Sequence, residues 1–241
     1  MRFQVISDVH TEFHRDGGRF FCENLPVLAS TLVIAGDFAI GKNLADTVSV
    51  MVKRFENVIY VCGNHEYYGT SRGDINHTMT KLQKRYTNFY WLNHSSVVIE
   101  GQKFVGSTMW FRDHPDNVHY KDLMNDFTVI PAFNKWVYDE NRKADKFFAK
   151  EVEEGCVVIS HHAPCDLSAS KRYKDSPTNR FYICDQSNLI REKKPKYWIH
   201  GHMHEPVSYQ LHDTWVESNP FGYVGFEDTP PIGTYGKVLG D

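Results

Sequence analysis

Six short apolar runs punctuate the chain, each breaking off into glycine or a polar side chain: Phe3 to Ile6, Thr31 to Ala35, Val58 to Cys62, Phe104 to Gly106, Cys156 to Ile159 and Tyr197 to Ile199. Each has strand length and is rich in Val, Ile or aromatic residues. Their unbroken apolar character predicts strands covered on both faces. Between them the period changes to that of a helix. Leu44, Val48, Met51, Val52 and Phe55 share one helical face, as do Ile75, Met79, Leu82 and Tyr86. The latter follow Ser71 with Asp74 three residues on, which resembles a capping box. Val137, Ala144, Phe148 and Val152 mark a third helix. Ser96 to Glu100, Lys103 to Ser107, Val207 to Leu211 and Trp215 to Glu217 have the pattern of hairpin strands. The early order of strand, helix, strand, helix, strand predicts an α/β fold. A length of 241 residues fits one domain, 1–241, with a helical and loop insert at about 111–153. Residues 163–186 show no clear period, and the Pro/Gly-rich end from Thr229 to Asp241 reads as irregular.

The polar residues that follow the runs are of one kind. After Val5-Ile6 come Asp8 and His10; after Leu32-Val33-Ile34 come Gly36-Asp37; after Ile59-Tyr60-Val61 come Gly63-Asn64-His65-Glu66. After Val157-Val158-Ile159 come His161-His162, and after Trp198-Ile199 come His200, His202 and His204. Ligand sites in open α/β sheets form at the carboxyl ends of strands, where loops from separate strands converge. In extended backbone, residues i and i+2 point the same way, so Asp8 with His10, and His202 with His204, are expected to grip one ion each. Glycines before Asp37, Asn64 and His202 permit sharp turns. Carboxylate, amide oxygen and imidazole together suit Mn, Fe, Zn or Co, and are too rich in nitrogen for calcium. Each motif alone is ordinary turn chemistry; five in a row, each behind a buried-strand pattern, are not.

Composition adds exclusions. The formal net charge is -3, so no global field recruits nucleic acid or anionic lipid. No stretch approaches the ~20 apolar residues of a membrane span, and Met1-Arg2-Phe3 runs directly into a strand without a signal-peptide pattern. A cytoplasmic protein is expected. Five cysteines without a C-x-x-C pair argue against a disulfide framework or thiolate zinc.

The ordered set Asp8/His10, Gly36-Asp37, Gly63-Asn64-His65-Glu66, His161 and Gly201-His202-Met203-His204 resembles the calcineurin-like metallophosphoesterase superfamily, small bacterial and phage-type members in particular. That resemblance implies a four-layer α/β/β/α sandwich of two mixed sheets flanked by helices. It implies two divalent ions (Mn, Fe or Zn, with Co, Ni or Mg as further choices): Asp8, His10 and His204 on the first, Asn64, His161 and His202 on the second, and Asp37 between them. Ions ~3.5–4 Å apart would activate a bridging hydroxide, with His65 stabilising or protonating the leaving oxygen. Asp37 and His65 are thus the catalytic candidates. Glu66 and Asp166 are candidates to orient ligand histidines.

The protein phosphatases of the superfamily carry arginines that are missing here: Gly36-Asp37 is followed by Phe38-Ala39-Ile40-Gly41-Lys42, and Cys62 precedes Gly63. The expected substrate is therefore a phosphorylated small molecule or nucleotide, hydrolysed as a diester or monoester. Asn64, His65, Arg112, Asn125, Asp126, His162 and Asn179 are candidate substrate contacts, with His114 and Arg180 beside them. Lys171-Arg172-Tyr173-Lys174 offers a weaker nucleic-acid signal. A nuclease, or a non-catalytic binding protein that retains the fold, are the alternatives.

Overall fold

The apolar runs become the centres of two facing sheets. The computed structural model describes residues 1–240. The first sheet contains β1 (Phe3–Ile6), β2 (Thr31–Ala35), β3 (Asn57–Val61), β4 (Phe89–Trp91) and β11 (Lys237–Leu239) in the order β11-β1-β2-β3-β4. The second contains β5 (Ser95–Ile99), β6 (Gln102–Gly106), β7 (Val157–Ile159), β8 (Tyr197–His200), β9 (Val207–Leu211) and β10 (Thr214–Ser218), ordered β5-β6-β7-β8-β10-β9. Both are mixed. β1 to β4 run parallel with β11 antiparallel at the edge, and β6, β7, β8 and β10 run parallel between the antiparallel β5 and β9.

The side-chain alternation of each strand sorts the layers. Val5, Val33, Ala35, Ile59 and Val61 of the first sheet meet Phe104, Val157, Ile159 and Ile199 of the second in one buried cluster. Their neighbours Leu32, Ile34, Val58 and Tyr60 point outward, under Leu44, Val48 and Met51 of α2 (Gly41–Arg54) and Ile75 and Met79 of α3 (Arg72–Arg85). On the far side, Val105, Val158, Trp198 and Val216 lie under Ala144 and Phe148 of α6 (Val137–Glu151) and Ile190 of α7 (Ser187–Lys193). The result is the four-layer α/β/β/α arrangement. Ser71 caps α3, its hydroxyl oxygen accepting from the Asp74 N–H at 3.1 Å.

Several elements depart from the sequence reading. The end expected to be irregular supplies β11, which pairs Leu239 with Phe3. Short β4, α7 and α1 (Arg19–Asn24) carry too few residues for a period to show. In the stretch expected as an insert, α4 (Asn117–Tyr120) and α5 (Asp126–Val129) are single turns, whereas α6 forms part of the outer layer. Residues 163–186 form three 3-10 turns. All five cysteines are buried and unpaired. Among the described residues no helix is long and apolar enough to cross a membrane.

Close approach of the sheets depends on Gly106, where an added Cβ would lie 2.5 Å from Leu92 Cβ and 2.9 Å from Val61 Cγ2. Gly106→Val is expected to lower stability by about 1–3 kcal/mol through overpacking, read as a fall in the urea midpoint at unchanged m-value.

Candidate metal centre

Parallel register aligns the ends of β1, β2 and β3, with Ile6 beside Ile34 and Ile34 beside Tyr60. The loops that follow therefore leave the sheet side by side. They are not extended. Asp8 (φ 51°), His10 (50°), Asp37 (50°), His202 (68°) and His204 (49°) all occupy the left-handed region. Such conformations cost of order 1–3 kcal/mol each in a non-glycine residue and persist only where the surroundings fix them. The i, i+2 argument for Asp8/His10 and His202/His204 thus fails in its geometry, because both pairs lie beyond the strand ends, on turned backbone.

The surroundings that fix these turns are hydrogen bonds between loops. The N–H of Asp8 donates to Gly36 O at 3.0 Å and that of His10 to Asp37 O at 2.9 Å. The N–H of His202 donates to Asp8 Oδ1, and that of His65 to Asp37 Oδ1, both at 2.8 Å. Glu66 is the central acceptor. Its Oε2 takes the N–H groups of Gly63 (2.7 Å) and Asp37 (3.1 Å), and its Oε1 takes the Phe38 N–H (2.9 Å) and the Tyr60 hydroxyl (2.6 Å). Burial and the nearby Asp37 charge push the Glu66 carboxyl up to about 7, against these four donors. Glu66 therefore orients backbone and touches no histidine. Asp166, the other carboxylate expected to orient a histidine, is exposed in a 3-10 turn. Gly63 is required by space: a Cβ there would fall 2.1 Å from Asp37 Oδ1.

The loops bring donor atoms into contiguous groups. Asp8, His10 and His204 form one, and Asp37, His161 and His202 another, each with its ligand atoms within 4.8 Å of one another. His202 and His204 thus belong to different groups. A third group, His10, Asp37 and His65, joins the two. Asp37 Oδ2 lies 3.7 Å from His10 Nε2 and 3.3 Å from His161 Nε2. Asn64 Oδ1 lies 3.0 Å from His161 Nε2.

The hydrogen-bond pattern leaves lone pairs facing one another. His10 Nδ1 is 3.2 Å from Glu12 Oε1, and His204 Nδ1 is 2.9 Å from Glu227 Oε2. A carboxylate only accepts, so both Nδ1 atoms carry hydrogen. Their Nε2 atoms then face each other at 3.0 Å. His161 donates Nδ1–H to Ala35 O at 2.9 Å, which turns its Nε2 toward Asn64 Oδ1 and Asp37, both acceptors. Asp8 Oδ2 and His202 Nε2 are buried without any partner. Such convergence of acceptors calls for positive charge. In the bare protein a proton meets part of that need: burial opposes a charged His161, yet Asp37 beside it holds the imidazole up to about 10. A divalent cation suits the same atoms better, since nitrogen and oxygen lone pairs are its natural ligands. Glu12 receives a second histidine, His65 Nδ1 at 2.8 Å, and although burial raises a carboxyl, its two histidines hold it at about 2.

The remaining candidates divide. Asp126 is fully buried and accepts from Asn64 Nδ2 at 2.9 Å and the Tyr68 hydroxyl at 2.7 Å, so it orients Asn64. Asn125, Asp126 and Asn179 line the cleft above the donor groups, although the Asn179 amide is spent on Tyr173 O at 2.6 Å. His162 lies behind His202, ring centroids 4.4 Å apart, and burial presses it down to about 3. It does not reach the cleft. Neither does Arg112, which pairs with Asp145 at 3.5 Å and donates to Asp185 O at 3.0 Å. His114 and Arg180 face each other at 3.3 Å outside it. The sequence reading missed Glu12 and Glu227. Glu12 had a signal, its position two residues after His10; Glu227, which is distant in sequence from His204, had none.

Sandwich and donor groups together define a class: an α/β/β/α protein with His/Asp sets able to hold divalent ions at its strand ends. The chain belongs to the calcineurin-like phosphoesterase family, whose profile matches residues 1–206. It is 21% identical over 198 residues to an uncharacterized protein of Acanthamoeba polyphaga mimivirus, covering 70% of this chain and 69% of that one. Its fold is similar to that of phosphopantetheinyl hydrolase from Mycobacterium tuberculosis (TM-score 0.71, 16% identity, 92% of this chain and 89% of that one). It is also similar to that of a dimetal phosphatase from Danio rerio (TM-score 0.51, 13% identity, 98% and 90%).

Glu66→Gln would aim an amide N–H₂ at two of the four buried donors. At about 1–3 kcal/mol per stranded group, it is expected to cost about 2–6 kcal/mol, measured by urea unfolding, whereas Asp166→Asn is expected to change stability by less than about 0.5 kcal/mol.

Proposed function

We propose that this chain hydrolyses phosphate esters with two divalent ions, Mn, Fe or Zn, held by Asp8, His10 and His204 on one side and Asn64, His161 and His202 on the other, with Asp37 serving both. The observation that carries this reading is the facing lone pairs: His10 and His204 Nε2 at 3.0 Å, with the unpartnered Asp8 Oδ2 and His202 Nε2 nearby. Bound there, a cation pair supplies Lewis acidity toward the phosphoryl oxygens and lowers the pKa of a water.

The chain's own residues do the rest. Glu12 and Glu227 fix the tautomers of His10 and His204, and Asp126 fixes the amide of Asn64. Those contacts keep the lone pairs of His10, His204 and Asn64 aimed inward before substrate arrives. His65 lines the cleft, stacked on Tyr68 with centroids 4.0 Å apart. Its Nδ1–H is held by Glu12, which leaves Nε2, 3.4 Å from the Tyr223 hydroxyl, as the atom that carries the proton toward the leaving oxygen. Burial opposes charge on His65, but Asp37 and Glu12 raise its pKa, which favours the acid form. The substrate is a diester or monoester of a small molecule or nucleotide. A nuclease needs a basic groove, and among the described residues no Lys or Arg lines the cleft. A non-catalytic scaffold is disfavoured by the full ligand set.

The test is metal analysis of manganese-loaded protein together with hydrolysis of bis-aryl and mono-aryl phosphates; folded protein that binds fewer than two ions, or that cleaves neither ester class, sinks the reading. Asp37→Asn is expected to abolish turnover and weaken uptake of both ions, read by plasma emission analysis after dialysis. Retention of two ions at the normal rate would remove Asp37 from the centre. His65→Ala is expected to keep both ions and slow hydrolysis by roughly 10²–10⁴-fold for poor leaving groups, and less for good ones. Equal slowing across a leaving-group series argues against the acid role.

A further inference from the structure

We infer that the esters suited to this site carry one phosphoryl group on an uncharged aromatic alcohol, an inference that rests on the hydrolytic reading above. The cleft over Asp37, Asn64, His202 and His204 encloses about 910 Å³. Its rim gathers five of the twelve large hydrophobic side chains that the described surface exposes: Phe13, Leu123, Val129, Tyr173 and Phe226, the last 79% accessible. Scattered exposed apolar residues are ordinary, but a rim of them around a polar floor marks a binding surface. The rim is also continuous with that floor. Phe226 meets Phe13 at 5.7 Å, Phe13 meets Tyr223 at 4.9 Å, and Tyr223 lies 4.3 Å from His10 and 4.4 Å from His204. Across the cleft Tyr182 stacks on His202 at 4.6 Å and 26°. A planar ring joined to a phosphoryl group on the floor would lie among aromatic side chains, against which it can pack edge-to-face or offset-stacked.

Charge narrows the occupant further. Among the described residues no Lys or Arg lines the cleft, while Glu12, Asp37, Asp126 and Glu227 do. A second phosphate, a carboxylate or a nucleic-acid strand would meet these carboxylates with no counter-charge. A cationic body gains little, because every one of the four is already engaged: Glu12 by His10 and His65, Asp37 by the His65 N–H, Asp126 by Tyr68 and Asn64, Glu227 by His204 and the Tyr223 N–H. Of the two basic residues that flank the rim tyrosine in sequence, Arg172 lies over the Tyr173 ring at 5.2 Å and lines the adjoining hollow, and Lys174 does not line the cleft.

Two probes test this on the full chain. Calorimetry with 4-phenylphenol and 4-hydroxybenzenesulfonate needs neither metal nor turnover. The neutral alcohol is expected to bind at least about tenfold more tightly, the scale of one buried ring, and Phe226→Lys is expected to shrink that preference. Equal binding of the two, or binding of neither, overturns the inference. The methyl diesters and the monoesters of the same alcohols are then given to manganese-loaded protein. The sulfonated alcohol is the better leaving group, so the expected higher kcat/KM for the biphenyl ester cannot come from leaving-group acidity. Equal kcat/KM overturns the inference and leaves the hydrolytic reading standing. Selective binding of 4-phenylphenol with no ester cleaved overturns the hydrolytic reading and upholds the apolar specificity of the cleft. If Phe226→Lys instead changes the oligomeric state in light scattering and leaves alcohol binding unaltered, the rim is a contact between copies and the inference falls.

Discussion

A carboxylate buried between two loops, that of Glu66, accepts three backbone N–H groups and one phenol, and the geometry of the centre follows from it. The loops after β2 and β3 each turn sharply out of a buried sheet and would otherwise strand their amide hydrogens in an apolar setting. Such stranded groups are expensive. One acceptor satisfies both loops and so sets their separation, and with it the placement of Asp37, Asn64 and His65. Neighbouring loops hang from these in turn: the loop after β1 through the Asp8 and His10 N–H groups on Gly36 O and Asp37 O, and the loop after β8 through the His202 N–H on Asp8 Oδ1. The donor atoms are therefore positioned by backbone N–H groups held on buried carboxylates and on neighbouring carbonyls, not by long side chains free to rotate.

Two different solvents meet in the cleft. Its floor collects lone pairs from histidine, aspartate and asparagine, which only positive charge reconciles. Its rim collects rings and aliphatic groups that water wets poorly. The transition occurs within the Tyr223 ring, which faces His10 and His204 on one side and Phe13 on the other. Separation of this kind lets strong polar forces act on one end of a molecule while weak, additive contacts select the other end.

Sheet centres and donor residues were legible in the sequence for a shared reason. A strand covered on both faces is an unbroken apolar run, and the donors follow directly on its end, so both are local features. The sheet edges were not. β11 is three residues long in a Pro/Gly-rich tail, and its place depends on β1 at the opposite end of the chain. The orienting carboxylates were half legible, since Glu12 is a near neighbour of His10 while Glu227 meets His204 only through the tertiary fold. Arg112, a candidate substrate contact from the sequence, pairs instead with Asp145 on α6, to which no local pattern points. The i, i+2 rule put Asp8 with His10, which the structure gathers into one donor group, and His202 with His204, which it divides between two. It assumed straight backbone where all four residues are turned.

That turned backbone carries a consequence for engineering the chain. At Asp8, His10, Asp37, His202 and His204 a glycine or asparagine would sit more comfortably than the residue present. Glycine at any of them would remove a donor, and asparagine would put a neutral amide where a carboxylate or imidazole now stands. Five such residues on three loops exchange backbone ease for donor atoms, which marks these positions as poor targets for substitutions aimed only at stabilising the chain.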